Sequence, residues 1–114
     1  MLSAMNAALD TLDRTFQALA HPTRRAVLAR LGQRPATVSE LAEPFDLALP
    51  SFLQHLRLLE SAGLVTTRKR GRVRIVQLRP QALQETTRWL EEQRHTWERR
   101  LDRLDDYLST MEDP

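Results

Sequence analysis

The residues best suited to recognition chemistry lie on one side of a helix predicted within residues 47–65. At about 100° per residue, its polar side carries Ser51, Gln54 and Arg57, with Pro50 in the first turn and no acid among them. Gln can bond adenine bidentately, Ser bonds several base edges, and Arg binds phosphate. This face therefore suits a polyanion such as DNA, although an ordinary amphipathic surface helix would show the same periodicity.

A second group of candidate binding residues follows this helix. Residues 64–78 place β-branched residues on both sides of a basic tip that contains Gly71, a pattern typical of a β-hairpin. The apolar alternation fails at Ile75–Val76, which indicates a bulge or an edge position there. On a hairpin, the clustered cations could straddle a phosphate backbone or reach a minor groove. The candidate DNA-binding residues of helix and hairpin are Pro50, Ser51, Gln54, His55, Arg57, Arg68, Lys69, Arg70, Arg72 and Arg74.

These candidates divide by expected role. Ser51 and Gln54 are expected at base edges, and Pro50 could make only an apolar contact, for example with a thymine methyl. His55, on the flank of the helix, is expected at phosphate together with Arg57 and the hairpin cations. The charge distribution supports this division, because residues 47–80 contain seven Arg and Lys residues against one Glu. Residues 81–114 contain five Arg against nine acids, so their net charge is negative and the excess of positive charge lies in the candidate segment.

Short helices are predicted to hold this segment in place. His21-Pro22 ends a first helix, and residues 22–32 form a second whose buried side is expected to contain Ala26, Val27, Leu28 and Leu31. Residues 33–36 are expected to be a connector. Thr37-Val38-Ser39-Glu40 fits a capping box at the start of a third helix.

The helix at residues 49–62, here called the reading helix, follows a tight turn and ends before Gly63. Its buried stripe is expected to contain Phe52, Leu56 and Leu59, widened by Leu49 and Leu53. Residues 37–63 thus predict a helix-turn-helix, and the hairpin at residues 64–79 predicts a wing.

The first and last helices carry narrow apolar seams. Residues 1–20 and 80–109 repeat apolar side chains in steps of three and four, closer to a coiled-coil seam than to a broad core-facing stripe. The two helices could pair within one chain, between two copies, or both at once. The candidate dimer-interface residues are Met5, Leu9, Leu12, Phe16, Leu90, Trp97, Leu101, Leu104 and Leu108.

Composition and motif content exclude several functional classes. The 114 residues suit one domain, and no apolar run approaches the roughly 20 residues of a membrane span. We see no secretory signal, and the absence of Cys excludes disulfides and thiolate metal sites, so the cytoplasm is the expected compartment. No phosphate-binding glycine loop or catalytic constellation is present, so we expect neither an enzyme nor a cofactor.

The chain resembles the ArsR family of bacterial winged helix-turn-helix repressors. The likeness is carried by three strings in order, ALAHPTRRAVLARL, VSELAEPFDLALPSFLQHLRLLESAGLV and KRGRVRIVQL, and covers about residues 16–78. It implies a mostly α-helical fold with a small β-hairpin, in which long first and last helices form a homodimer. It also implies binding to a near-palindromic DNA operator.

The resemblance does not imply a metal site. Family members that sense metals use thiolates, or carboxylate and His pairs on the last helix, and this chain has no Cys. His95 and Glu98 match half of such a pattern, but Ala82 and Gln84 stand in the region where the other half is expected. Two ligands are too few for tight zinc binding.

Two other functions remain compatible with the sequence. The heptad helices could bind a different protein, with the basic hairpin a solvated tip. Alternatively, the chain could be a small-molecule sensor in which Trp89, Trp97 and Tyr107 line an effector site near the dimer axis. DNA retention at moderate salt would argue against the first, and a thermal shift with small molecules would support the second.

Overall fold

The computed structural model of the chain describes residues 2–112. In chain order, its elements are α1 (Leu2–Leu19), α2 (Pro22–Leu31), β1 (Ala36–Thr37), α3 (Val38–Ala42), α4 (Leu49–Ser61), β2 (Val65–Arg70), β3 (Val73–Leu78) and α5 (Gln81–Glu112). The predicted fold class is confirmed: the chain is mostly helical, with a small antiparallel sheet and a long last helix. Two compact units divide after Gln84.

The core of the first unit lies under the reading helix, which is α4. Phe52, Leu56 and Leu59 are buried as predicted, and the Phe52 ring stacks on that of Phe45 at 5.8 Å between centroids. Leu49 was expected to widen this stripe, but it is 55% exposed. The reason is local, because the turn through which the chain enters α4, residues 46–48, is itself exposed.

The second helix contributes Val27, Leu28 and Leu31 to the same core. Ala26 was also expected on this side, but it is exposed. Its side chain is about 100° around the helix from that of Val27, away from the direction that Leu31 shares with Val27. Three residues rather than four therefore anchor α2.

Two predicted helix ends are confirmed. The Thr37 hydroxyl accepts a hydrogen bond from the Glu40 amide at 3.1 Å, which caps α3. The Glu40 carboxylate lies 3.5 Å from an Arg30 guanidinium nitrogen and so links α3 to α2. After α4, Gly63 adopts a φ of 75°, the left-handed conformation that glycine reaches with little strain.

The sheet corrects two expectations from the sequence. Ala36, assigned to a connector, belongs to β1, and the strand order is β1-β3-β2. β3 is therefore central, and its register with β2 runs without interruption from Val65↔Leu78 to Arg70↔Val73. The bulge or edge position expected at Ile75–Val76 is wrong, because these two residues pair with β1 on one side and β2 on the other.

The first helix is held to the core by small side chains. Thr15 and Ala18 are buried, and the Thr15 hydroxyl donates to the Thr11 carbonyl at 3.0 Å, which satisfies its polar group. Phe16, from the predicted seam, is 39% exposed. Leu19, at the end of the same apolar repeat, is half-buried and packs against the core.

The second unit consists of α5 from Glu85 onward. Along it, Arg94 bridges Glu91 at 2.7 Å and Glu98 at 3.7 Å, and the hydrogen bond and charge of Glu91, followed by the charge of Glu98, raise the pKa of Arg94. Within residues 2–112, no helix is long and apolar enough to span a membrane.

Candidate nucleic-acid interface

The outer face of the reading helix is as the sequence predicts. Pro50, Ser51, Gln54 and Arg57 are exposed, on the side opposite the buried stripe. Pro50 occupies the first turn, where its missing N–H removes no intrahelical hydrogen bond. The face thus offers a hydroxyl, an amide and a guanidinium to a partner.

The single acid of the reading helix is directed toward the wing. The Glu60 carboxylate accepts a hydrogen bond from the Thr67 hydroxyl on β2 at 2.9 Å. Glu60, Thr67, Arg57 and Arg74 line one groove of about 70 Å³ between the helix and the hairpin. The acid therefore fixes the hairpin to the helix and leaves the Ser51–Gln54 face free of negative charge.

The five candidate cations of the hairpin do not form one cluster. Lys69 is paired with Arg74 in the register that also pairs Thr67 with Val76, and Arg74 lines the groove beside the reading helix. Arg68 and Arg70 lie on the opposite face of the sheet, and together with Lys69, Pro35, Ile75 and Gln77 they line a depression of about 610 Å³. Arg72 lies in the turn between the strands and is exposed. The five cations expected to act together are thus divided between two faces and a tip.

The Lys69–Arg74 pair is electrostatically unfavourable by itself. Residues directly opposite in an antiparallel ladder have Cβ atoms about 4.5–5.5 Å apart, and like charges there destabilise the strands. Both residues are exposed. An anion between them would relieve the repulsion, so contact with a phosphate would be favourable here.

His55 is in a different environment from the one expected. It is half-buried, its ring centroid lies 4.4 Å from that of His21, and its Nδ1 lies 3.0 Å from Nη1 of Arg24. Burial, followed by the charges of His21 and Arg24, lowers its pKa below the usual value of 6.5. The ring is therefore neutral near pH 7 and turned toward α2, which does not suit the phosphate-binding role expected for it.

This cluster is the part of the site that the sequence does not reveal. His55 lies 31 residues from Arg24, and neither spacing nor periodicity connects them. The Pro22 signal correctly places a helix start, where His21 caps α2 by accepting from the Thr23 amide at 3.1 Å. Only the folded chain shows that the same ring packs against the reading helix.

The candidate dimer residues of α5 form an exposed apolar row. Its members are between 46% and 60% exposed; they are Leu90, Trp97, Leu101, Leu104 and Leu108. In α1, Leu12 is half-buried and Phe16 exposed, while the side chains of Met5 and Leu9 lie outside the described residues. A surface row of large apolar side chains at heptad spacing is typical of a helix that packs on another one.

No group of three or more His, Cys, Asp or Glu side chains able to hold a metal ion occurs in the described part of the chain. Of the half-pattern on α5, the Glu98 carboxylate lies 3.7 Å from the guanidinium of Arg94.

Comparison with known proteins adds independent information. Residues 19–68 match a family described as a helix-turn-helix domain. Among curated relatives, the HTH-type transcriptional regulator Rv2034 of Mycobacterium tuberculosis is 45% identical over 71 residues, which cover 62% of this chain and 66% of that protein. The transcriptional repressor SdpR of Bacillus subtilis is 29% identical over 79 residues, covering 69% of this chain and 88% of SdpR.

A solved structure extends the comparison to the fold. The crystal structure of an ArsR family transcriptional regulator is 53% identical, with a TM-score of 0.75, and the match covers 78% of this chain and 92% of that one.

Proposed function

Because this chain belongs to the ArsR family of transcriptional regulators, we propose that it is a cytoplasmic, homodimeric repressor that binds a near-palindromic DNA operator. The observation that carries the proposal is the exposed, acid-free face of the reading helix, bordered by the Lys69–Arg74 pair of the wing. The names of the relatives support it, since they are transcriptional regulators and one is a repressor.

In this proposal, the reading helix enters the major groove. Ser51 and Gln54 contact base edges, and Pro50 makes an apolar contact with a thymine methyl. Arg57 and the wing cations contact phosphates, which provide affinity and register but little sequence information. Since Arg74 lines the groove beside the reading helix, it is the first of these cations to meet the duplex, while Arg68, Lys69, Arg70 and Arg72 reach the flanking backbone.

The dimer is proposed from the exposed seams. The α5 row of Leu90, Trp97, Leu101, Leu104 and Leu108, together with Leu12 and Phe16 of α1, would pack against a second copy. A two-fold axis would present two reading helices to half-sites about 34–36 Å apart, or a multiple of that distance. The near-palindromic operator follows from this symmetry.

The test begins with selection of binding sites from random duplexes by the full-length protein. We expect a near-palindrome, and binding should be strongly salt-dependent, since about 6–10 neutralised phosphates lower affinity about 10³–10⁵-fold between 50 and 200 mM salt. Selection of no preferred sequence, or an affinity that does not change with salt, would contradict the proposal. A hetero-complex with another protein in place of a homodimer would favour the interaction-module alternative.

Two substitutions separate base contacts from phosphate contacts. Gln54→Ala should lower operator affinity by the loss of about 1–3 kcal/mol per half-site and leave random-duplex affinity nearly unchanged. Lys69→Ala should weaken binding to both duplexes alike and reduce the salt slope by about 1 per copy. Arg34→Ala, which removes an exposed charge on the connector outside the proposed interface, is the matched control. Equal losses on both duplexes for Gln54→Ala would exclude its role in base reading.

A further inference from the structure

One arginine joins three helices at the back of the reading helix. Arg24, in the first turn of α2, donates from Nε to the Ala18 carbonyl at 2.8 Å and from Nη2 to the Gln17 carbonyl at 2.9 Å. Its third donor, Nη1, lies 3.0 Å from Nδ1 of His55 on α4. The last carbonyls of a helix lack the amide four residues on, and Arg24 satisfies two of them, of which Gln17 also accepts from the Ala20 amide at 3.2 Å, so Arg24 binds the end of α1 to the reading helix.

The bond to His55 exists for only one protonation state of the imidazole. Arginine is always a donor and has no acceptor, so Nδ1 of His55 must accept and cannot carry a proton. His21 is under a similar constraint, because its Nδ1 accepts from the Thr23 amide at 3.1 Å to cap α2. The two rings are 4.4 Å apart between centroids. Protonation of Nδ1 in His55 would therefore remove an acceptor from Arg24 and place a cation against it.

The surroundings of His55 oppose this protonation. From the start of α2 it is faced by His21 and Arg24, both of which disfavour a positive charge on it. On the α1 side, the Ala18 and Gln17 carbonyls accept from Arg24, and Arg14 and Gln17 line the same groove as Arg24. β2 contacts α4 at Glu60, five residues after His55, where the Glu60 carboxylate accepts a hydrogen bond from the Thr67 hydroxyl. Burial, His21 and Arg24 together lower the pKa of His55, so the bond to Arg24 is intact near pH 7.

We propose that Arg24 is a positioning residue for the reading helix, acting through neutral His55, so that operator recognition weakens when the pH falls. The inference rests on the proposed function. His55 follows Gln54 directly and lies one helical turn after Ser51, so loosening α4 at His55 displaces both residues proposed to read bases. Ordinary electrostatics would act in the opposite direction, because added positive charge tightens non-specific DNA binding.

The decisive quantity is the ratio of operator affinity to random-duplex affinity, measured for the full chain between about pH 7.5 and pH 5.5, where histidines titrate. The operator used is the duplex selected at the higher pH. For the wild-type protein, we expect the ratio to fall about tenfold, the loss of one hydrogen bond to a charged group. His55→Asn presents an acceptor oxygen to Arg24 and does not titrate, so its ratio should change less than about twofold.

Two further variants distinguish positioning from general destabilisation. Arg24→Lys keeps the charge but not the fork of donors, and should give a low ratio at both pH values with no pH response. His21→Asn keeps an N-cap acceptor for Thr23 and removes the neighbouring ring. Since His21 disfavours a charge on His55, this variant should shift the response toward higher pH. Thermal melts of each variant confirm that it is folded under the assay conditions.

The outcomes separate the two proposals. If the wild-type protein selects a duplex but its affinity ratio is constant with pH, the positioning inference is wrong and the proposed function stands. The inference is also wrong if His55→Asn responds to pH as the wild-type protein does. If no duplex is selected at all, the proposed function fails and the inference fails with it.

Discussion

Truncation of one exposed leucine on α5 gives a direct test of the proposed homodimer. Leu101 is 60% exposed and lies in the middle of the apolar row. Full burial of a leucine side chain stabilises by about 1.5–3 kcal/mol, so covering the exposed part contributes about 1–2 kcal/mol. A two-fold interface uses each residue twice, which gives about 2–4 kcal/mol per dimer. Leu101→Ala should therefore raise the dimer dissociation constant about 30- to 700-fold.

Sedimentation velocity over a dilution series measures this constant. Arg99→Ala is the matched control, since position 99 lies opposite the seam in the heptad and the same helix-favouring alanine is introduced. Leu101→Ala should dissociate at concentrations where Arg99→Ala remains dimeric. Identical dissociation constants for the two variants, or a wild-type protein that is monomeric throughout the series, would refute the assignment of this row to the dimer.

Two further predictions concern stability. Leu59→Ala, at a residue with no exposed surface, should lower the free energy of unfolding by about 2–5 kcal/mol in urea melts. Leu58→Ala, at a residue 47% exposed on the same helix, should lower it by only about 1 kcal/mol, in proportion to its covered part, and similar losses for both would contradict the packing described for α4. Because folding lowers the pKa of His55, the unfolded chain binds more protons below its ordinary value of 6.5. The contribution of this group to stability is complete above pH 6.5 and is lost as the pH falls through the folded pKa. When the pH is lowered, the melting temperature of the wild-type protein should therefore decrease more steeply than that of His55→Asn.

Local chemistry explains why much of the fold could be predicted from the sequence. The Thr37 cap, the Pro22 helix start and the left-handed Gly63 each depend on side chains within a few residues of one another. The buried stripe of Phe52, Leu56 and Leu59 follows from a single period. These features also define the reading helix, so its exposed face could be assigned before the fold was known.

The features that could not be predicted depend on partners distant in sequence. β1 is two residues long and exists only through its pairing with Ile75 and Val76, so it has no periodicity of its own. That pairing also makes β3 a central strand, which is why an apparent break in alternation is neither a bulge nor an edge. The exposure of Leu49 depends on the path of the preceding turn rather than on the helical period.

The same distinction applies to the proposed interface. Residue type and helical phase identify Ser51, Gln54 and Arg57 as candidates for contact with DNA. The same criteria also select His55, which lies on the same helix and is of a suitable type. Its partner Arg24, 31 residues away, turns its ring inward. Periodicity can therefore place a side chain on the flank of a helix, whereas its chemical role depends on which donor the fold brings to it.

Two polar contacts from other elements hold the reading helix beyond Ser51 and Gln54, the residues proposed to read bases. Toward the wing, Thr67 donates to Glu60 at 2.9 Å, and at the back, Arg24 bonds His55 at 3.0 Å while bound to the end of α1. The first contact ties α4 to the cations proposed to bind phosphate. The second ties it to the helix that carries Phe16 of the proposed dimer seam. If the proposed function holds, the orientation of Gln54 is coupled to both the proposed phosphate contacts and the proposed dimer, so a substitution at either contact should alter sequence recognition without changing a residue proposed to contact bases.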